Sequence, residues 1–170
     1  TLYSCGLRVS ELVNLKLSDL YFDEGFIKVE GKGNKQRLIP ISPRAINEIK
    51  LYFTDRNQIE VKSGHEDFVF ISLRRGKRLS RIMIFHMIKE LAQQASITKN
   101  ISPHTFRHSF ATHLLEGGAN LRAIQCMLGH ESIATTEIYT HIDRNVLRSE
   151  IIEHHPRNIK YRKEKESLFH

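Results

Sequence analysis

Two short apolar runs, Phe26-Ile27-Lys28-Val29 and Arg37-Leu38-Ile39-Pro40-Ile41, flank the loop Gly31-Lys32-Gly33-Asn34-Lys35, and most of the remaining chain repeats with helical spacing. Glycines in such a loop permit the positive φ angles of a tight reversal, so the two runs read as a β-hairpin with Lys32 at its tip. Phe68-Val69-Phe70-Ile71 reads as a third strand. The expected fold class is therefore α+β and mostly helical, with a small antiparallel sheet on one side.

Helix boundaries are marked by their capping residues. Thr1 to Cys5 reads as the last turn of a helix already under way, closed by Gly6, and a chain opening this way without Met reads as a fragment of a longer protein. Val9, Leu12, Val13 and Leu15 give a short helix before a turn at Ser18-Asp19-Leu20. Ser42-Pro43 supplies N-cap and N1 for a helix carried by Ala45, Ile46, Ile49 and Phe53, and Ser80 caps one carried by Ile84, Ile88, Leu91 and Ala95. Pro103 starts a helix that runs to Gly117-Gly118. Its Phe106, Phe110 and Leu114 mark the buried face, so His104 and Arg107, three apart, share another. Leu121, Ile124 and Leu128 carry a helix ended by Gly129, with His130 just beyond. Residues 132–139 read as a short helix, and Val146, Leu147, Ile151 and Ile152 give another after Asp143. From His154 charge dominates and Pro156 breaks the pattern, so residues 1–153 read as one domain and 154–170 as a basic, mobile tail.

Lys and Arg outnumber Asp and Glu by 26 to 19 in 170 residues, which favours a polyanionic partner. Cys5 and Cys126 have no paired spacing, which points to a reduced, cytoplasmic setting and away from a disulfide framework or a Cys-based zinc site. No run approaches the roughly 20 apolar residues that cross a bilayer, so no membrane partner is expected.

Four strings carry a resemblance: Gly6-Leu7-Arg8-Val9-Ser10-Glu11-Leu12, Ser102-Pro103-His104-Thr105-Phe106-Arg107-His108, Leu128-Gly129-His130 and Ile138-Tyr139-Thr140-His141. Together they resemble the signature of the tyrosine recombinase (phage integrase) family, nearest to its Xer-like bacterial branch. Gly31 to Arg37 stands where that family keeps a hairpin lysine. The resemblance covers about Leu2 to Arg157 and implies the catalytic domain, with the family's N-terminal DNA-clamping domain outside this chain. It implies site-specific recombination of double-stranded DNA by strand cleavage and rejoining, through a 3′-phosphotyrosine linkage and a Holliday junction. It further implies a bacterial-type, nucleoid-associated protein that works without metal or other cofactor, in a synapse of four subunits.

The chemistry of the residues agrees with that resemblance. A phosphodiester resists attack through its negative charge and poor leaving group, so a catalyst must neutralise oxygens and protonate the departing one. Arg8 and Arg107 are the expected phosphate clamp, since a guanidinium stays charged and can hold two oxygens. Tyr139 is the expected nucleophile, and its product is a phosphotyrosine. His104 and His130 match the family's two histidines as hydrogen-bond donors and proton carriers. Lys32 is the expected general acid for the 5′ oxygen, with Lys35 its rival on the same loop. Glu11, one turn from Arg8, is expected to brace the site by pairing with a cation. Residues 146–152 present an apolar stripe that can dock on its own body or on a neighbouring subunit.

The rivals are a type IB topoisomerase, an inactive DNA-binding relative, and a basic RNA-binding scaffold. The Leu-Gly-His and Gly-Leu-Arg strings look like recombinases and not like the topoisomerase, the full set of six reactive residues speaks against lost catalysis, and no stacking-aromatic motif marks an RNA binder. A zinc reading of His104 and His108 fails because Thr105 stands where a zinc hydrolase needs Glu and Arg107 would repel the cation.

Overall fold

A computed structural model describes residues 1–129 and 144–167. In chain order the helices are α1 (Leu2–Cys5), α2 (Val9–Asn14), α3 (Pro43–Arg56), α4 (Arg81–Gln94), α5 (Pro103–Glu116), α6 (Leu121–Leu128), α7 (Arg144–His154) and α8 (Pro156–Ser167). Between α2 and α3 lie β1 (Leu20–Tyr21), β2 (Phe26–Glu30) and β3 (Gln36–Pro40), paired antiparallel in that order. The mostly helical α+β fold with one small antiparallel sheet is as expected. Among the described residues no helix is long and apolar enough to cross a membrane.

The capping signals fall where the sequence puts them. Ser42 Oγ accepts from the Ala45 amide and Ser80 Oγ from that of Met83, at 3.3 and 3.2 Å. Each satisfies an amide that the first helical turn leaves without a partner. At the head of α5 the Ser102 amide donates to Thr105 Oγ1 at 3.1 Å. The sheet differs from expectation in one respect. Residues 68–71 form no strand, only isolated bridges from Phe68 to Lys16 and from Ile71 to Arg78. They are held in place by buried Arg56, whose guanidinium donates to the carbonyls of Glu66, Phe68 and Val69 at 2.6 to 3.2 Å. The third strand is instead Leu20–Tyr21, of which only Leu20 falls in the turn read from sequence, and it folds back onto Ile27 and Phe26.

Buried apolar side chains form two clusters. The first joins α2, the sheet, α3 and α4 through Leu12, Ile27, Ile39, Ile49 and Ile84. The second joins α5, α6 and α7 through Phe110, Leu114, Ile124, Met127, Leu147 and Ile151. Each fully buried Leu, Ile or Phe contributes about 1.5–3 kcal/mol. Gly6, at φ 59°, lets α1 rest directly on α5, since a Cβ there would lie 2.4 Å from the Phe110 ring. Of the stripe on residues 146–152, Leu147 and Ile151 sit in the second cluster, whereas Val146 is exposed.

The stretch that reads as a basic tail continues as α8. Its entry is buried, with His155 and Asn158 each 1% exposed. Asn47 Nδ2 donates to Tyr161 Oη at 2.7 Å and Arg44 pairs with Glu164 at 3.3 Å, so α8 lies along α3. The sequence conceals this because α8 is fastened mainly by polar groups and carries no apolar stripe.

His155 packs between Tyr3 and Phe110, at ring-centroid distances of 4.7 and 5.9 Å. Burial, more than its charged neighbours, pushes its pKa down to about 4. The folded chain therefore keeps this ring neutral where the unfolded chain, with a histidine pKa of about 6.5, takes up a proton. Its stabilising contribution is complete above that value and is lost as pH falls toward 4, at up to about 1.4 kcal/mol per pH unit. His155→Phe is expected to flatten the fall of Tm between neutral pH and the folded-state pKa. A slope equal to that of the unmodified chain would contradict the assignment.

Candidate active site

Arg8 is the N-cap of α2, and Glu11 stands at the third helical position. That spacing lets one carboxylate do two things. Glu11 Oε2 accepts the Arg8 backbone amide at 2.8 Å, which caps the helix, and Oε1 accepts from Arg8 Nη1 at 2.9 Å, which holds the guanidinium. The Glu11 side chain is 1% exposed, whereas that of Arg8 remains 38% exposed beyond the pair. A buried carboxylate needs more than one half-exposed partner. Arg37 supplies it from β3, donating Nη1 to Oε1 at 2.8 Å and Nη2 to Oε2 at 3.1 Å, while its Nε donates to the Met127 carbonyl at 2.8 Å.

Arg107, on α5, approaches from the other side. Nη1 donates to the Gly6 carbonyl at 2.6 Å and Nη2 to that of Leu128 at 2.5 Å, so this side chain joins the end of α1 to the end of α6. Both carbonyls lie where a helix stops and leaves acceptors without partners.

The electrostatics follow from this crowding. Burial alone would raise the Glu11 pKa, but hydrogen bonds and charge from Arg37, with the amide and guanidinium of Arg8, together hold it below the ordinary carboxylate range. For Arg107, burial first and then the nearby Arg8 and Arg37 bring the pKa down to about 10, still protonated at neutral pH, with Glu11 acting in the opposite direction. Two guanidinium groups thus share one carboxylate, and a third, Arg107, lies within electrostatic range of all of them. Such a site favours an anion with several oxygens, because two planar forks can hold it and the partial burial strengthens the attraction.

The other expected residues stand as follows. His104 is exposed on the first turn of α5, three residues from Arg107 and so on its side of the helix. Lys32, described by its backbone alone, opens a 3₁₀ turn, Lys32–Asn34, in which Gly33 and Asn34 have φ of 72° and 58°. The loop closes through the Gly31 amide, which donates to the Lys35 carbonyl at 2.8 Å. His130 and Tyr139, with the helix expected over residues 132–139, lie outside the described residues. Gly129 ends α6 in the left-handed region at φ 63°. The structure thus gathers Arg8, Glu11 and Arg107, with the hairpin loop beside them.

Sequence reasoning missed Arg37, whose side chain is only 7% exposed. A signal was present. Arg37 stands two residues before Ile39, hence on the same face of β3, and Ile39 is fully buried. An arginine on a core-facing position implies a buried acid, and Glu11 is that acid.

The sequence pattern described as the phage integrase family matches residues 1–145. The chain belongs to the phage integrase family. Among family members, the tyrosine recombinase XerD of Chlorobaculum tepidum is 49% identical over 156 residues, covering 92% of this chain and 51% of that protein. The crystal structure of XerA recombinase superposes with a TM-score of 0.70 at 39% identity, over 91% of this chain and 56% of the other. XerH site-specific recombinase, bound to a palindromic difH substrate in a post-cleavage complex, gives a TM-score of 0.66 at 28% identity, over 89% and 42%. The chain spans about half the length of the curated relatives it matches. The resemblance to the phage integrase family and its Xer-like branch, drawn first from short strings, therefore holds for sequence and fold alike.

Proposed function

We propose that this chain is the catalytic part of a site-specific tyrosine recombinase that cleaves and rejoins double-stranded DNA. The observation that carries the reading is the convergence of Arg8 and Arg107 beside one buried carboxylate, leaving a positive excess suited to a phosphodiester. Likeness to XerD supports it, as does likeness to XerH bound to its difH substrate. Arg8 and Arg107 hold the non-bridging oxygens, and His104 and His130 donate hydrogen bonds to the same phosphate. The Tyr139 oxygen attacks phosphorus and its proton passes to a histidine. The bond to the 5′ oxygen breaks and that oxygen takes a proton from Lys32. The phosphotyrosine keeps the energy of the broken bond, and a 5′ hydroxyl from a partner strand reverses the step. DNA and further recombinase subunits are the partners, and the working location is the bacterial nucleoid.

Two measurements test the proposal. A nicked duplex that loses its short 5′ fragment on cleavage is expected to trap a covalent protein adduct in the presence of a chelator, seen as a slower band on a denaturing gel. A panel of candidate sites that yields no adduct at any protein concentration would count against catalysis. Duplex binding is expected to weaken steeply with salt, since each neutralised phosphate contributes about −0.9 to the slope of log K against log salt. Salt-insensitive binding would argue against a DNA substrate.

A further inference from the structure

Arg37 touches more than Glu11. Its guanidinium lies between two glycine backbones. A Cβ on Gly129 would stand 3.2 Å from its Cζ, Nε and Nη1, and one on Gly31 would stand 3.4 Å from Nη1 and 3.8 Å from Glu11 Oε1. In sequence these glycines directly precede His130 and Lys32. One buried fork therefore meets the acid that holds Arg8, the base of the lysine loop, and the carbonyl of Met127 near the end of α6. Beyond Gly31 the three-residue turn of the loop includes two positive φ angles, and a Cβ on Gly33 would meet nothing within 4 Å. At Gly31 the base of the loop rests against Arg37.

Resting on the recombinase reading above, we infer that Arg37 is a positioning residue for the hairpin lysine, fixing the base of the Lys32 loop against the Arg8–Glu11 pair and the end of α6. Lysine cannot replace it, since an ammonium is a compact point charge without the planar fork that reaches a carboxylate and a carbonyl together. Displacing an acid by about 1 Å costs on the order of 100-fold in rate. Loss of the fork should therefore be felt mainly in protonation of the leaving oxygen.

The test uses the full chain and two nicked duplexes, one with the ordinary 5′ oxygen at the scissile bond and one with sulfur there. On attack by Tyr139 the sulfur departs as a thiolate, which needs no proton because a thiol's pKa is only about 8.5. Arg37→Ala is expected to slow adduct formation on the oxygen substrate by roughly 10–100-fold and to recover most of that loss on the sulfur substrate, as the contribution of a general acid requires. Equal slowing on both substrates would reduce Arg37 to a brace for the clamp or fold and overturn the inference, as would no slowing. If Arg37→Ala does not fold, Arg37→Lys decides between the same outcomes. A failure of the recombinase reading is distinguishable, since the unmodified chain would then form no adduct with either duplex.

Discussion

Tyr139→Phe is expected to abolish the covalent adduct while leaving duplex binding nearly unchanged. The substitution removes one oxygen, and that oxygen is the atom proposed to bond to phosphorus. Phenylalanine offers no oxygen for the attack, so the loss should be complete on any practical timescale, in contrast to the graded losses that follow removal of a transition-state donor. Binding rests on a different set of groups, chiefly cations meeting phosphates, and the ring itself is retained. Adduct yield on the nicked duplex and affinity from a gel shift, measured on the same preparation, separate the two. An adduct that persists in the variant would move the nucleophile elsewhere, with Tyr3, Tyr21, Tyr52 and Tyr161 as the remaining tyrosines.

Arg107→Ala should slow cleavage by roughly 100-fold or more, the scale for one preorganised transition-state donor. The side chain has a second role that must be separated from the first. It donates to the carbonyls of Gly6 and Leu128, and a hydrogen bond from a charged group contributes about 1.5–3 kcal/mol to stability. A fall in Tm is therefore expected alongside the fall in rate. The two are distinguished by measuring single-turnover cleavage well below the variant's own Tm and at saturating DNA, where a folding defect is suppressed and a missing donor is not. A rate within a few-fold of the unmodified chain would remove Arg107 from the clamp.

The parts of the fold that sequence revealed are those fixed by local chemistry. Ser42-Pro43, Ser80 and Gly129 mark helix ends because the stereochemical demand is met within a few residues of the cap. The hairpin was legible for the same reason. Residues 68–71 look like a strand because Val, Ile and Phe favour extended backbone, but a ladder needs a neighbour, and here the carbonyls of Phe68 and Val69 are taken by the Arg56 side chain at the end of the preceding helix. Leu20–Tyr21 has the opposite history: too short to carry a pattern, it becomes a strand because Gly25, at φ 76°, turns the chain back on itself. In the candidate site, Arg8 and Arg107 were found through motif resemblance, and Glu11 through its one-turn spacing from Arg8. Arg37 was passed over because its bonds to Glu11 and Met127 span 26 and 90 residues, and only its placement on the inward face of β3 hinted at them.

Two hydrogen bonds run between elements of the two apolar clusters, from Arg37 on β3 to the Met127 carbonyl on α6 and from Arg107 on α5 to the Gly6 carbonyl beside α2. Polar fasteners of this kind depend steeply on distance and angle, whereas buried hydrocarbon tolerates small shifts. Loosening these two bonds would therefore shift Arg107 and the end of α6 relative to the Arg8–Glu11 pair while helices and hydrophobic interiors stay intact. Heat or mild denaturant should extinguish reactivity before it erases the far-ultraviolet signal of helix, and a phosphate seated between Arg8 and Arg107 would act as a rivet, holding the two in register only while substrate is present.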